Sequence, residues 1–241
     1  MAREPKYKRV LVKLSGESLA SADGSPIDAQ AAWAVADEVA PVVEMGVQVA
    51  VVIGGGNLIR GRQLRDNPHV QRPTADAMGM LATVINALAL RDTLESHRIP
   101  ARVMSARAMG GACETFRRDR AIAHLDAGRV VVLAGGTGNP FFTTDTCASL
   151  RALEVGAEAM LKATNVDGVY DSDPVTHPDA IRYDHLTYQQ VLADQLGVMD
   201  LTAVSMCMEN DLPLVVFKMA RAGNLAAAVC GQDVGTTVGH K

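Results

Sequence analysis

The chain has 241 residues, 48% of them hydrophobic but only 4% aromatic, and a formal net charge of -4. That is enough chain to bury a sizeable core, which Val, Leu, Ile, Ala and Met must fill. The acidic balance argues against general affinity for nucleic acid or an anionic membrane, and four scattered cysteines without a C-x-x-C pair argue against a disulfide framework or a zinc site.

The basic start over residues 1–9 leads into an apolar stretch at 10–14 that Lys13 interrupts, too short for the core of a signal peptide. No run approaches the roughly eighteen apolar residues of a membrane helix, and the expected location is the cytoplasm. Apolar, β-branched-rich runs at 9–14, 47–53, 101–104, 129–134, 159–162 and 212–217 read as strands. Between them, 28–45, 74–97, 119–127 and 146–156 carry helical patterns. Asp28 and Asp119 stand where N-caps belong, and Gly46, Gly128 and Gly156 where helices stop. The alternation predicts an α/β fold in one domain over residues 1–241, its mostly parallel sheet sandwiched between helices.

The segments that follow the strands carry the chemistry. Lys13-Leu14-Ser15-Gly16-Glu17 ends the first, Gly54-Gly55-Gly56-Asn57 the second, Gly135-Gly136-Thr137-Gly138-Asn139 the fourth and Lys162-Ala163-Thr164-Asn165 the fifth. Open α/β sheets bind ligands outside the carboxyl ends of their strands, so these four segments converge on one edge. Glycine lets backbone amides approach a phosphate closely, and a following helix adds its positive dipole. Arg60 and Arg62 bring further charge after the second strand. One glycine cluster alone reads more readily as a tight strand-to-helix turn; two clusters at one edge beside two lysines reverse that preference towards phosphate. Lys13, near the end of an apolar strand, needs an anionic partner unless it snorkels outward, and Lys162 stands in the equivalent place. Two such cations suit a transferring phosphoryl group, whose charge is spread over its equatorial oxygens. Asp145, at the start of a helix, serves as an N-cap or orients both lysines, and the two roles are compatible.

Three signatures are absent: the P-loop G-x-x-x-x-G-K-[ST], the protein-kinase H-R-D loop, and a G-x-G-x-x-G after the first strand. Taken with Asp76-Ala77-Met78-Gly79-Met80-Leu81-Ala82-Thr83, Thr137-Gly138-Asn139-Pro140-Phe141-Phe142-Thr143-Thr144-Asp145 and the run from Lys162 to Tyr170, the loops resemble those of the bacterial uridylate kinases, within the amino acid kinase superfamily. The resemblance runs in matching order from about Lys8 to Thr237. It implies an αβα fold of amino acid kinase type and transfer of the γ-phosphoryl group of ATP to UMP in pyrimidine nucleotide biosynthesis, directly and in line, with Mg²⁺ carried on ATP.

By the same resemblance, Lys13, Lys162 and Asp145 are catalytic. Lys13, Leu14, Ser15, Gly16, Gly56 and Arg60 bind ATP, with Thr164, Asn165, Tyr170 and Asp173 around its nucleoside. UMP falls to Gly55, Asp76, Thr137, Gly138, Asn139, Pro140, Phe141, Phe142, Thr143 and Thr144. The resemblance also implies a homohexamer with GTP and UTP as effectors. Arg91, Arg102 and Arg129 match positions lining the GTP site, while Glu95 replaces a histidine of some members and Arg117-Arg118 an aromatic-containing segment. The rival readings are a superfamily enzyme acting on another acceptor, a non-catalytic nucleotide sensor, and a dinucleotide-dependent oxidoreductase, the last disfavoured by the glycine spacing.

Overall fold

The computed structural model describes residues 4–59 and 69–240. The six expected strands form as β1 (Arg9–Leu14), β2 (Gln48–Ile53), β3 (Ala101–Ser105), β5 (Val130–Ala134), β6 (Ala159–Thr164) and β10 (Leu214–Lys218). The four expected helices form as α1 (Ala29–Glu44), α2 (Arg72–Ser96), α3 (Arg118–Asp126) and α4 (Thr144–Val155). Shorter pieces had no readable period: β4 (Glu114–Thr115), β7 (Val169–Tyr170), β8 (Arg182–Tyr183), β9 (His185–Thr187), β11 (Gly235–Gly239), α5 (Tyr188–Ala193), α6 (Leu201–Glu209) and α7 (Asn224–Val229).

Nine strands make one sheet in the order β4-β3-β5-β2-β1-β6-β10-β11-β9, parallel throughout except where β10 meets β11; β7 and β8 form a separate antiparallel pair. Strand alternation sends Val10, Val12 and Leu14 into a core roofed by α1, α2 and α7. Leu11 of β1 and Met160 of β6 face the other way, into a core with α3, α4 and α6. The sheet is therefore buried on both faces, as its aliphatic composition requires.

Asp28 caps α1 as expected, accepting from Ala31 N–H at 2.8 Å. Gly46, Gly128 and Gly156 take the left-handed turn that ends each helix, with φ of 79°, 73° and 69°. Asp119 does not cap α3. Arg117 holds that position in extended backbone, and Asp119 lies inside the first turn, where its charge suits the helix dipole and pairs with Arg117 at 3.1 Å. Against the sequence reading, α2 is long and apolar enough to cross a membrane by length and composition. Its apolar residues Val84, Ala87, Leu90 and Leu94 are instead buried in the core it shares with the sheet.

Candidate active site

β1 and β6 are neighbours in parallel register, with Lys13 directly opposite Lys162. Adjacent strands lie about 4.8 Å apart, so two ammonium-bearing side chains on the same face repel unless an anion stands between them. That face meets the start of α4, and Asp145 supplies the anion. Its Oδ1 lies 2.8 Å from Lys13 Nζ and its Oδ2 2.8 Å from Lys162 Nζ. The Lys162 contact is a hydrogen bond; the Lys13 contact lies off hydrogen-bond angles and acts through charge. All three side chains are less than one-fifth exposed. Lys162 also donates to the carbonyl of Val198. Asp145 is not the cap of α4: Thr143 is, its hydroxyl accepting from Asp145 N–H and Thr146 N–H at 3.0 and 3.1 Å. Capping by the shorter Thr143 frees the Asp145 carboxylate to face the lysines.

Burial opposes ionisation of Asp145, yet the charges of Lys13 and Lys162 together outweigh it and hold the carboxyl below its ordinary value. Burial pushes Lys162 below the ordinary lysine value; the Asp145 charge offsets this only in part, and Lys13 adds to it. The triad carries one net positive charge, held in place before any ligand arrives.

Two clefts flank it. One, of about 380 Å³, is lined by Lys13, Ser15, Gly16, Gly55, Gly56, Asp76, Thr137, Asn139 and Phe141 to Thr144. The other, of about 440 Å³, is lined by Lys162, Thr164, Tyr170, Asp173 and the stretch 194–198. Sequence reasoning therefore gathered most of both walls. Gly138 and Pro140 do not line the first cleft, and exposed Asn165 does not line the second, where Thr164 stands. Leu14 is a core side chain whose carbonyl accepts from Gly54 N–H at 2.9 Å, docking one glycine loop on the other. Arg60 and Arg62 lie outside the described residues.

Several supporting contacts carried no sequence signal. Asn57 and Asn86 exchange hydrogen bonds of 3.0 and 2.7 Å, and Asn86 also donates to Gly54 O at 2.7 Å, fixing the second glycine loop to α2. Thr83 Oγ1 accepts from Gly135 N–H at 2.8 Å and so ties α2 to the third loop. Asp200 caps α6 and also accepts from the hydroxyls of Thr143 and Thr146.

Gly55 shows why this loop is glycine. A Cβ there would lie 2.8 Å from Ala82 Cβ and 2.9 Å from Gly79 O, against α2 backbone that cannot yield. Gly55→Ala is expected to cost about 1–3 kcal/mol of stability, read by denaturant unfolding. A Cβ at Gly56 meets nothing within 4 Å and faces the cleft. Gly56→Ala should keep the stability and weaken nucleotide binding, which titration calorimetry measures.

A more voluminous crevice, about 940 Å³ around Lys218 and Arg221, lies apart from these two clefts. Its Gly223 amide is already taken by the buried Glu38 carboxylate at 2.6 Å, which also accepts from the neighbouring Leu225 N–H at 3.1 Å. Its Arg182 pairs with Asp167 and Asp184. Size alone does not make it the reaction site.

Against this geometry stands a direct comparison: the model of the Amino acid kinase family matches residues 8–218. The chain belongs to the amino acid kinase family. Within that family its relatives include the uridylate kinase of Dichelobacter nodosus (strain VCS1703A), 52% identical over 98% of this chain and 97% of the relative. The chloroplastic uridylate kinase PUMPKIN of Arabidopsis thaliana is 51% identical over 97% of this chain and 69% of its own. The UMP kinase from Bacillus anthracis superposes with a TM-score of 0.93 at 38% identity, over 97% of this chain and 96% of that one. The UMP kinase from Ureaplasma parvum gives 0.91 at 34% identity, over 97% and 99%.

The three arginines matched to the family's effector site each have a partner within this amino acid kinase chain. Arg91 pairs with Asp92 at 2.7 Å, Arg102 with Glu95 at 3.3 Å, and Arg129 Nη1 meets His124 Nδ1 at 3.0 Å.

Proposed function

We propose that this protein transfers the γ-phosphoryl group of ATP to UMP, giving UDP and ADP. The observation that carries the reading is the buried Lys13–Asp145–Lys162 bridge, with one lysine lining each of two nucleotide-sized clefts. ATP lays its nucleoside in the cleft of Thr164, Tyr170 and Asp173 and its phosphates across Lys13 and the loops of Gly16 and Gly56. UMP occupies the cleft of Gly55 and Asp76, where a carboxylate can accept from ribose hydroxyls. An acceptor that carries a ribose explains Asp76 and the 137–144 segment better than a carboxylate or carbamate acceptor would.

A phosphate oxygen of UMP attacks the γ-phosphorus, the bond to the β–γ bridging oxygen breaks, and ADP leaves with the electron pair. The nucleophile is already an anion, so no strong general base is required. Lys13 and Lys162 neutralise the charge that spreads over the transferring group, and the glycine-loop amides position it. Asp145 keeps both ammonium groups aimed. Asp145, whose Oδ1 is matched by the charge of Lys13 rather than by a hydrogen bond, would help hold a Mg²⁺ ion brought with ATP, and that ion would supply charge neutralisation.

We further propose one domain spanning the chain, a cytoplasmic location and a homohexameric assembly. GTP and UTP would act as effectors, with GTP having to displace Asp92 and Glu95 from Arg91 and Arg102. The activity is tested by ADP release with ATP, Mg²⁺ and each of UMP, CMP, dTMP and GMP. Turnover selective for UMP is the expected result; folded, ATP-binding protein inert towards UMP would overturn it.

A further inference from the structure

Arg72 lines the acceptor cleft without a role in the reaction described above. It is the first residue of α2, the positive end of a helix, where a cation is unfavourable. No side chain caps that end, and the first turn holds no acidic residue to compensate. The one local compensation is the pairing of Arg72 with Asp76 four residues on, at 3.8 Å, a contact that as a helix pair contributes only about 0.2–0.5 kcal/mol.

The wider surroundings of Arg72 account for it more fully. The guanidinium carbon lies 5.2 Å from the ring centroid of Phe141, and Nε lies 3.8 Å from Asp76 Oδ2. The same Asp76 oxygen accepts from Phe141 N–H at 2.8 Å. Phe141 has φ of 72°, a left-handed conformation that a bulky side chain adopts only when its surroundings impose it. The residue is 60% exposed and lines the cleft. Buried packing therefore does not hold the strained residue; Asp76 does, through its amide, and Arg72 does, through its ring face.

We propose that Arg72 is a positioning residue for the acceptor nucleotide. Through Asp76 and Phe141 it holds the 137–144 segment in the shape that receives a nucleoside monophosphate, while the phosphoryl donor is held elsewhere. This rests on the acceptor-site reading given above.

The test is steady-state kinetics with UMP varied at saturating ATP, then ATP varied at saturating UMP, on the native protein, Arg72→Ala, Arg72→Lys and Phe141→Leu. For Arg72→Ala the KM for UMP should rise about tenfold, equivalent to about 1.4 kcal/mol, and the KM for ATP should move less than twofold. More of the loss should fall in KM than in kcat. Arg72→Lys, which keeps the charge, should recover part of the affinity. Phe141→Leu removes the ring face from an exposed side chain and should raise the same constant several-fold even if Arg72→Ala fails to fold. Equal rises for both nucleotides, or a KM for UMP within twofold of native in Arg72→Ala and Phe141→Leu, would overturn the proposal. Native protein inert towards UMP would instead remove the acceptor reading itself.

Discussion

Lys13→Ala lowers kcat by at least about a hundredfold, the range for losing one preorganised electrostatic stabiliser, and leaves UMP binding within a few-fold of native. The reason lies in the register. Lys13 and Lys162 are adjacent in the sheet and joined by Asp145. Removing Lys13 deletes a cation where the γ-phosphoryl charge must spread, and leaves Asp145 facing that charge with one counter-ion instead of two. The ground-state phosphates keep the loop amides and Lys162, so binding suffers less than turnover. Rapid-quench measurement of the transfer step at saturating nucleotides checks this, and a rate within tenfold of native would remove Lys13 from the chemistry.

Asp145→Asn acts through both stability and pH. It leaves two buried ammonium groups without an anion, and breaking a buried pair by removing one partner costs about 3–5 kcal/mol. For the native carboxyl, the folded value lies below the ordinary 3.8. Its contribution is thus present above that pH and is lost as pH falls through the folded value. The asparagine variant should lack this acid-side loss. The lysine side runs the other way. Lys162 of the ligand-free protein already releases its proton more readily than an ordinary lysine at 10.5, so as pH rises native kcat/KM should begin to fall before that value is reached, because a required cation is lost. Without Asp145 the alkaline limb should shift lower still, while the folding deficit shrinks as pH rises. Urea unfolding and pH–rate profiles of the two proteins measure these effects; superimposable alkaline limbs would show that Asp145 does not tune the pair.

The parts of this site that were legible in the sequence depend on local physics. An ammonium near the end of an apolar strand cannot be left unpaired, which singled out Lys13 and Lys162 and made Asp145 their candidate anion. Glycine runs after buried strands marked the amide-lined edge for a similar reason. The direct opposition of the two lysines was not legible, because it needs the sheet order that sets β1 beside β6. Asp145 and Asp119 show the limit of cap reasoning. Both stand one or two residues inside a helix whose cap is another residue, and only backbone geometry separates those positions. The Val198 carbonyl that receives Lys162, the Asn57–Asn86 exchange and the second duty of Asp200 join segments far apart in the chain. A backbone acceptor or a common amide side chain gives no pattern from which such a contact could be read.

The most direct test of the account follows γ-labelled ATP through a single turnover with UMP, in native protein and in Lys13→Ala, with binding of both nucleotides measured alongside. Label appearing in UDP with native protein, and slowed at least about a hundredfold in the variant with binding retained, is the predicted result. Label released to water, label left in ATP, or equal transfer by both proteins would contradict it.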